Sequence, residues 1–219
     1  MNKSTKEKIK IAKAGARLYL INSRFTMNAL AKAAEIDVET VYEYFPNRRS
    51  VLVFFYESII IEYREITRKI DGYIDYTLSE KLSNLVLTII DLMNEHKEFI
   101  RQTYKSMIMC TSRQQAFNDE FIHQLKLIYE NDPNQSKLSS AFNNQLLYKA
   151  GLTNFHLLII FWLKDTSTGN QKTMELIDKW TSFVQEIHYT AILDKGFEFV
   201  KFLYYNSPFK PTGTTPNTE

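Results

Sequence analysis

Helix breakers are scarce in this sequence, and that restricts its fold more than any other feature. The 219 residues include six glycines and five prolines, and several of these fall in the last dozen positions. A chain so rarely interrupted favours helices, because Gly and Pro are the residues that end them. We read an all-α protein with no strand and no internal repeat. Its length suits one large domain, or a small one joined to a medium one. Fifteen Phe, 13 Tyr and 2 Trp supply a substantial core and could line an apolar cavity.

Several function classes lack their residues. The single cysteine, Cys110, lies in the apolar run MIMC and reads as a buried thiol, with no disulfide or four-Cys zinc site within the chain. His96, His123, His156 and His188 have no metal-ligand spacing, so neither metal nor cofactor is expected. No Gly-rich phosphate loop and no nucleophile–base pairing occurs, which argues against an enzyme. Lys10 and Lys13 interrupt any leader-like apolar stretch, and the longest apolar run, Leu157 to Leu163, is too short to span a bilayer. A cytoplasmic protein without a membrane partner is expected.

Charge is unevenly placed. Residues 1–50 hold ten Lys and Arg against five Asp and Glu, while the remainder is mildly acidic. A basic head on an acidic body fits a nucleic-acid reader joined to another function. Apolar spacing predicts helices over 5–22, 27–34, 38–44, 47–70, 79–94, 97–111, 114–130, 137–164 and 171–204, with a disordered Pro/Thr/Gly-rich tail over 207–219. The domains expected are a DNA-binding head over 1–47 and a larger helical body over 48–206.

The segment TMNALAKAAEIDVETVYEYFPNRRSVL, residues 26–52, carries the most information. Thr26 and Asp37 stand where N-caps belong, and Glu35-Ile36 leaves room only for a tight turn between two short helices. Pro46 stops the second of them. Successive helical residues turn by about 100°, so Val41 and Phe45 share one apolar, packed face. Glu39, Thr40 and Glu43 then point the other way, toward base edges if the helix enters a major groove, with Val38 a further DNA-facing candidate at its start. Tyr42 and Tyr44 flank the packed face and could offer hydroxyls to phosphates, or simply pack at its rim. Thr26 would present a helix N-terminus to a phosphate, although capping alone explains its type. Arg48 and Arg49 open the next helix beside the same backbone. A glutamate can accept from cytosine N4; Glu39 and Glu43 are read either so or as a solvated face.

This segment resembles the DNA-binding signature of the TetR regulator family. The matching positions are Thr26, Leu30-Ala31, Ala34-Glu35-Ile36-Asp37, Thr40-Val41-Tyr42-Glu43-Tyr44-Phe45 and Arg48. Glu35 replaces the family's turn glycine, and the loop before Thr26 is shorter and lacks its usual glycine. The resemblance implies a homodimeric DNA-binding regulator, commonly a repressor, whose grip on a two-fold operator responds to a small effector. It gives DNA-contacting roles to Thr26, Thr40, Tyr42, Tyr44 and Arg48, and dimerisation to the last two helices.

For the body the candidates are broader. Leu158, Trp162, Ile177, Trp180, Val184 and Ile187 form apolar stripes on the last two helices, together with Phe155, Ile159 and Ile192, and are read as dimer interface or core. Tyr63, Met93, Phe99, Tyr104, Met107, Phe117, Phe121 and Phe155 could line an effector pocket or fill the core. The competing function is a non-enzymatic helical interaction protein, for example a nucleoid-associated one with altered or lost specific DNA binding.

Overall fold

The computed structural model describes residues 1–109, 116–134 and 145–189. Nine α-helices are found among them: α1 Lys3–Ile21, α2 Met27–Ala34, α3 Val38–Tyr44, α4 Arg48–Thr67, α5 Leu78–Asn94, α6 Lys97–Tyr104, α7 Ala116–Glu130, α8 Gln145–Lys164 and α9 Gln171–Tyr189. No strand occurs among the described residues, in line with the all-α reading. Cys110, Ile192, residues 137–144 of one expected helix, 190–204 of another and the tail 207–219 lie outside them.

Local chemistry fixes the helix starts. The Thr26 hydroxyl accepts from Ala29 N at 3.1 Å, and the Asp37 carboxylate accepts from Glu39 N at 3.0 Å. Asn47 and Ser50 close a capping box that starts α4 directly after Pro46; Thr77 and Glu80 do the same for α5. Two expected helices are shorter than their apolar pattern. α4 ends at Thr67, before the left-handed Gly72 (φ 72°). The helix from Lys97 changes to a π-helical turn over Lys105–Met109, the kind of bulge that interrupts a longer helix.

One continuous core holds the chain together, from Ile11 in α1 to Ile177 in α9. α1 lies against α4 so closely that a Cβ on Gly15 would come within 2.8 Å of Val51 Cγ1. Ion pairs reinforce that seam: Lys13 meets Glu62 at 2.8 Å, and the N-terminal ammonium meets Glu65 at 3.1 Å. From α1, Tyr19 also reaches α6, where its ring meets Phe99 edge-on at 5.4 Å. Between α8 and α9, Asp165 accepts from Ser167 and from both the amide and hydroxyl of Thr173, and these bonds hold its carboxyl far below the ordinary range.

Candidate nucleic-acid interface

α2 and α3 meet at a turn whose key residue is Glu35, held left-handed at φ 52°, ψ 45°. Only glycine takes that conformation without steric cost. Glu35, which stands where the family has its turn glycine, therefore carries backbone strain, and its carboxylate pairs with Lys10 of α1 at 3.1 Å. Beneath the turn, Leu30, Ala34, Val41 and Phe45 are buried. An open groove of about 560 Å³ runs between the two helices, lined by Asn28, Ala31, Lys32, Glu35, Ile36, Asp37 and Val38.

α3 presents its polar face outward. Glu39 and Glu43 are exposed, Thr40 and Val38 half-buried, and Val41 is the one fully buried residue of the helix. The two tyrosines, equivalent in the sequence, differ in the structure. Tyr42 is 54% exposed and its hydroxyl has no partner among the described residues. Tyr44 is half-buried, and its hydroxyl donates to Glu7 Oε2 of α1 at 2.8 Å. The Lys8 ammonium sits over its ring at 5.2 Å.

Cations surround α3 but are absent from it, since VETVYEY holds two glutamates and no Lys or Arg. Arg48 lies across the Phe25 ring and donates one N–H to Phe25 O at 3.3 Å, which fixes the guanidinium beside Thr26 and leaves its other donors free. Arg49, Arg24 and Lys32 are exposed; the last two were not singled out in the sequence, where nothing but charge marked them. Thr26 spends an acceptor lone pair on its cap, so its hydroxyl hydrogen remains available. Taken together, the residues form a rigid edge that offers carboxylate acceptors at its centre and hydroxyl and cationic donors at its sides.

Three of the expected pocket residues, Phe99, Tyr104 and Phe117, meet around a residue the sequence reading missed. Tyr56 is fully buried; its ring neighbours Phe99, Tyr104 and Phe117 at 6.0, 5.8 and 6.2 Å. Phe121 stacks on Phe155 at 4.1 Å. Tyr63, Met93, Phe99, Tyr104, Phe117, Phe121 and Phe155 are buried, and Met107 is half-buried. Polar bonds thread this cluster. Thr103 gives its hydrogen to Phe99 O at 2.7 Å, so Tyr56 must donate in the 2.6 Å contact with Thr103 Oγ1. Tyr104 OH meets His156 Nδ1 at 2.8 Å. Burial pushes His156 down to about 4 and the Tyr104 hydroxyl well up. The tyrosine therefore keeps its proton and donates to a neutral imidazole.

The body also carries the match that decides the family. The description "Tetracyclin repressor-like, C-terminal domain" fits residues 81–203, more than half of the chain. The chain belongs to the TetR family. It is thus a DNA-binding transcriptional regulator. Its fold is similar to the crystal structure of a TetR transcriptional regulator from Nitrosomonas europaea ATCC 19718, with a TM-score of 0.61 and 12% sequence identity over 80% of this chain and 96% of that one. Comparison with curated proteins gives no match. No helix among the described residues is long and apolar enough to cross a membrane.

In this TetR-family chain, α8 and α9 divide the expected interface stripe into buried and exposed residues. Leu158, Trp162 and Ile177 are buried within this chain, in line with the core reading that the sequence left open beside the interface. The physical reason is that 157–163 is apolar on every side, so periodicity cannot say which side faces inward. The large apolar residues left in solvent are Leu157 (59% exposed) and Phe161 on α8, and Met174, Phe183 (61% exposed) and Ile187 on α9. Trp180 and Val184 are half-buried near Phe183.

Proposed function

We propose that the chain is a cytoplasmic, non-enzymatic repressor that binds a two-fold operator as a homodimer and releases it when a small, largely apolar effector enters the body. Residues 1–47 are the reading head and 48–206 the body. α3 seats in the major groove with Val38, Glu39, Thr40 and Glu43 toward the bases. Thr26, Tyr42, Arg48 and Arg49 take the sugar-phosphate backbone, and Tyr44 stands on the same rim with its hydroxyl bound to Glu7. The observation that carries this reading is the exposed polar face of α3 on a turn pinned from both sides. Dimerisation is supported by the large apolar side chains left in solvent on α8 and α9. Effector binding is supported by the ring cluster around Tyr56, whose neighbours lie on α4, α6 and α7 and so connect the body to the helix beneath the head. An effector acts by favouring one arrangement of these helices over another.

The alternative, a helical interaction or nucleoid-associated protein, draws on one specific observation: Glu39 and Glu43 repel phosphates and have no cationic partner among the described residues. One experiment separates the two. Duplexes are selected from a random pool, and their affinity is followed against salt. Under the proposal, a two-fold sequence emerges, and log affinity falls linearly with log salt. Arg49→Ala shallows that slope by about one without changing the selected sequence. Recovery of unrelated sequences with equal affinity would favour the nucleoid reading.

A further inference from the structure

We infer that Glu7 is a positioning residue for the recognition helix and acts through Tyr44. This rests on the reading of α3 as the DNA-facing element. α3 has seven residues and buries only Val41 completely. A helix so short has little stability of its own, and one buried side chain does not fix rotation about the helix axis. α1 supplies what packing does not. Glu7 and Lys10, one turn apart on α1, bind opposite ends of the reading unit: Lys10 holds Glu35 in the turn, and Glu7 holds Tyr44 at the last residue of α3. Lys8 over the Tyr44 ring, and Lys3 at 3.9 Å from Glu7, gather at the same corner.

Proton accounting sharpens the point. A phenol has one hydrogen to donate, and a phosphate oxygen needs a donor. While Tyr44 donates to Glu7, it cannot donate to DNA. The bond is to a charged acceptor and is of the stronger kind. The two tyrosines therefore divide the work: Tyr42, with its hydroxyl free, meets the phosphate, and Tyr44 fastens the helix to α1. Removing Glu7's acceptor loosens the pose of α3 and weakens sequence-specific binding, even though a negative charge is removed from beside the DNA.

The test is a double-mutant cycle on the full chain, with affinities measured for the duplex selected by the unaltered protein and for a scrambled duplex. Glu7→Leu and Tyr44→Phe each lower affinity for the selected duplex, on the order of ten-fold for one hydrogen bond to a charged group. The pair together loses no more than either alone, and scrambled DNA is bound as before. Glu7→Gln keeps an oxygen acceptor and binds no more weakly than the unaltered protein. Tighter or unchanged binding by Glu7→Leu with a loss for Tyr44→Phe would make Tyr44 itself the phosphate contact and overturn the inference. Additive losses, or equal losses on scrambled DNA, overturn it too. If the unaltered protein selects no sequence, the DNA reading fails first, and that outcome is distinct from the others.

Discussion

In the head, α3 buries one side chain completely and is fastened by surface bonds: a cap at Asp37, the Lys10–Glu35 ion pair and the Tyr44–Glu7 bond. In the body, Phe55, Tyr56, Phe99, Tyr104, Phe117, Phe121 and Phe155 are all buried, and the hydrogen bonds lie inside the ring cluster. The two regions are ordered by different forces. Surface pins set direction cheaply and contribute little stability each. Buried rings contribute much stability, because each removes a large apolar area from water. Under the proposed function, a reader of DNA needs an accurate pose at its surface, and a body that senses an effector needs a core whose rearrangement has consequences.

The contrast is most severely tested at Phe55, which touches Tyr56, His96 and Phe99 with ring centroids 5.3, 5.0 and 5.1 Å away. Phe55→Ala should cost about 3–5 kcal/mol in denaturant unfolding, the scale for emptying a buried ring. A loss below about 1 kcal/mol would mean the ring cluster is not the source of stability. Acid provides the second test. His96, His156 and His188 are all pushed below their ordinary value, chiefly by burial. The folded chain then binds fewer protons than the unfolded one, whose histidines titrate near 6.5. Their contribution is intact above that pH, shrinks as pH falls below it, and for His156 stops shrinking below about 4. The melting temperature should drop between pH 7 and pH 4.5, and His156→Gln should flatten the curve. An unchanged slope in that variant would place the acid sensitivity elsewhere. The smallest effect belongs to the head. Glu35→Gly relieves the left-handed strain but gives up the Lys10 pair, a net stabilisation of up to about 1 kcal/mol by thermal melting. A larger change, in either direction, would make the turn more than a surface pin.

The head was far more readable from the sequence than the body, for a physical reason. Caps and turns are local: Thr26, Asp37, Pro46 and the Glu35 turn act within a few residues, so their order predicted α2 and α3 at the bounds observed. The fate of Tyr44 was hidden because its partner lies 37 positions away. In the body, Tyr56 was missed because α4 is apolar around much of its circumference, so no single stripe marked the inward face. The same ambiguity turned Leu158, Trp162 and Ile177 into interface candidates. The body of this chain displays no short motif comparable to the one in its head, and the family match over residues 81–203 reaches it instead.

The absence of Lys and Arg from α3 has one more consequence. If α3 is the helix that enters the groove, as proposed, attraction to a duplex must come from cationic side chains outside it, such as Arg24, Lys32 and Arg49. Grip and discernment are then housed in separate residues. On that proposal, descendants of this gene can change which letters they recognise by altering α3, while the strength of their hold on nucleic acid, and its sensitivity to the ionic content of the cell, passes on nearly untouched.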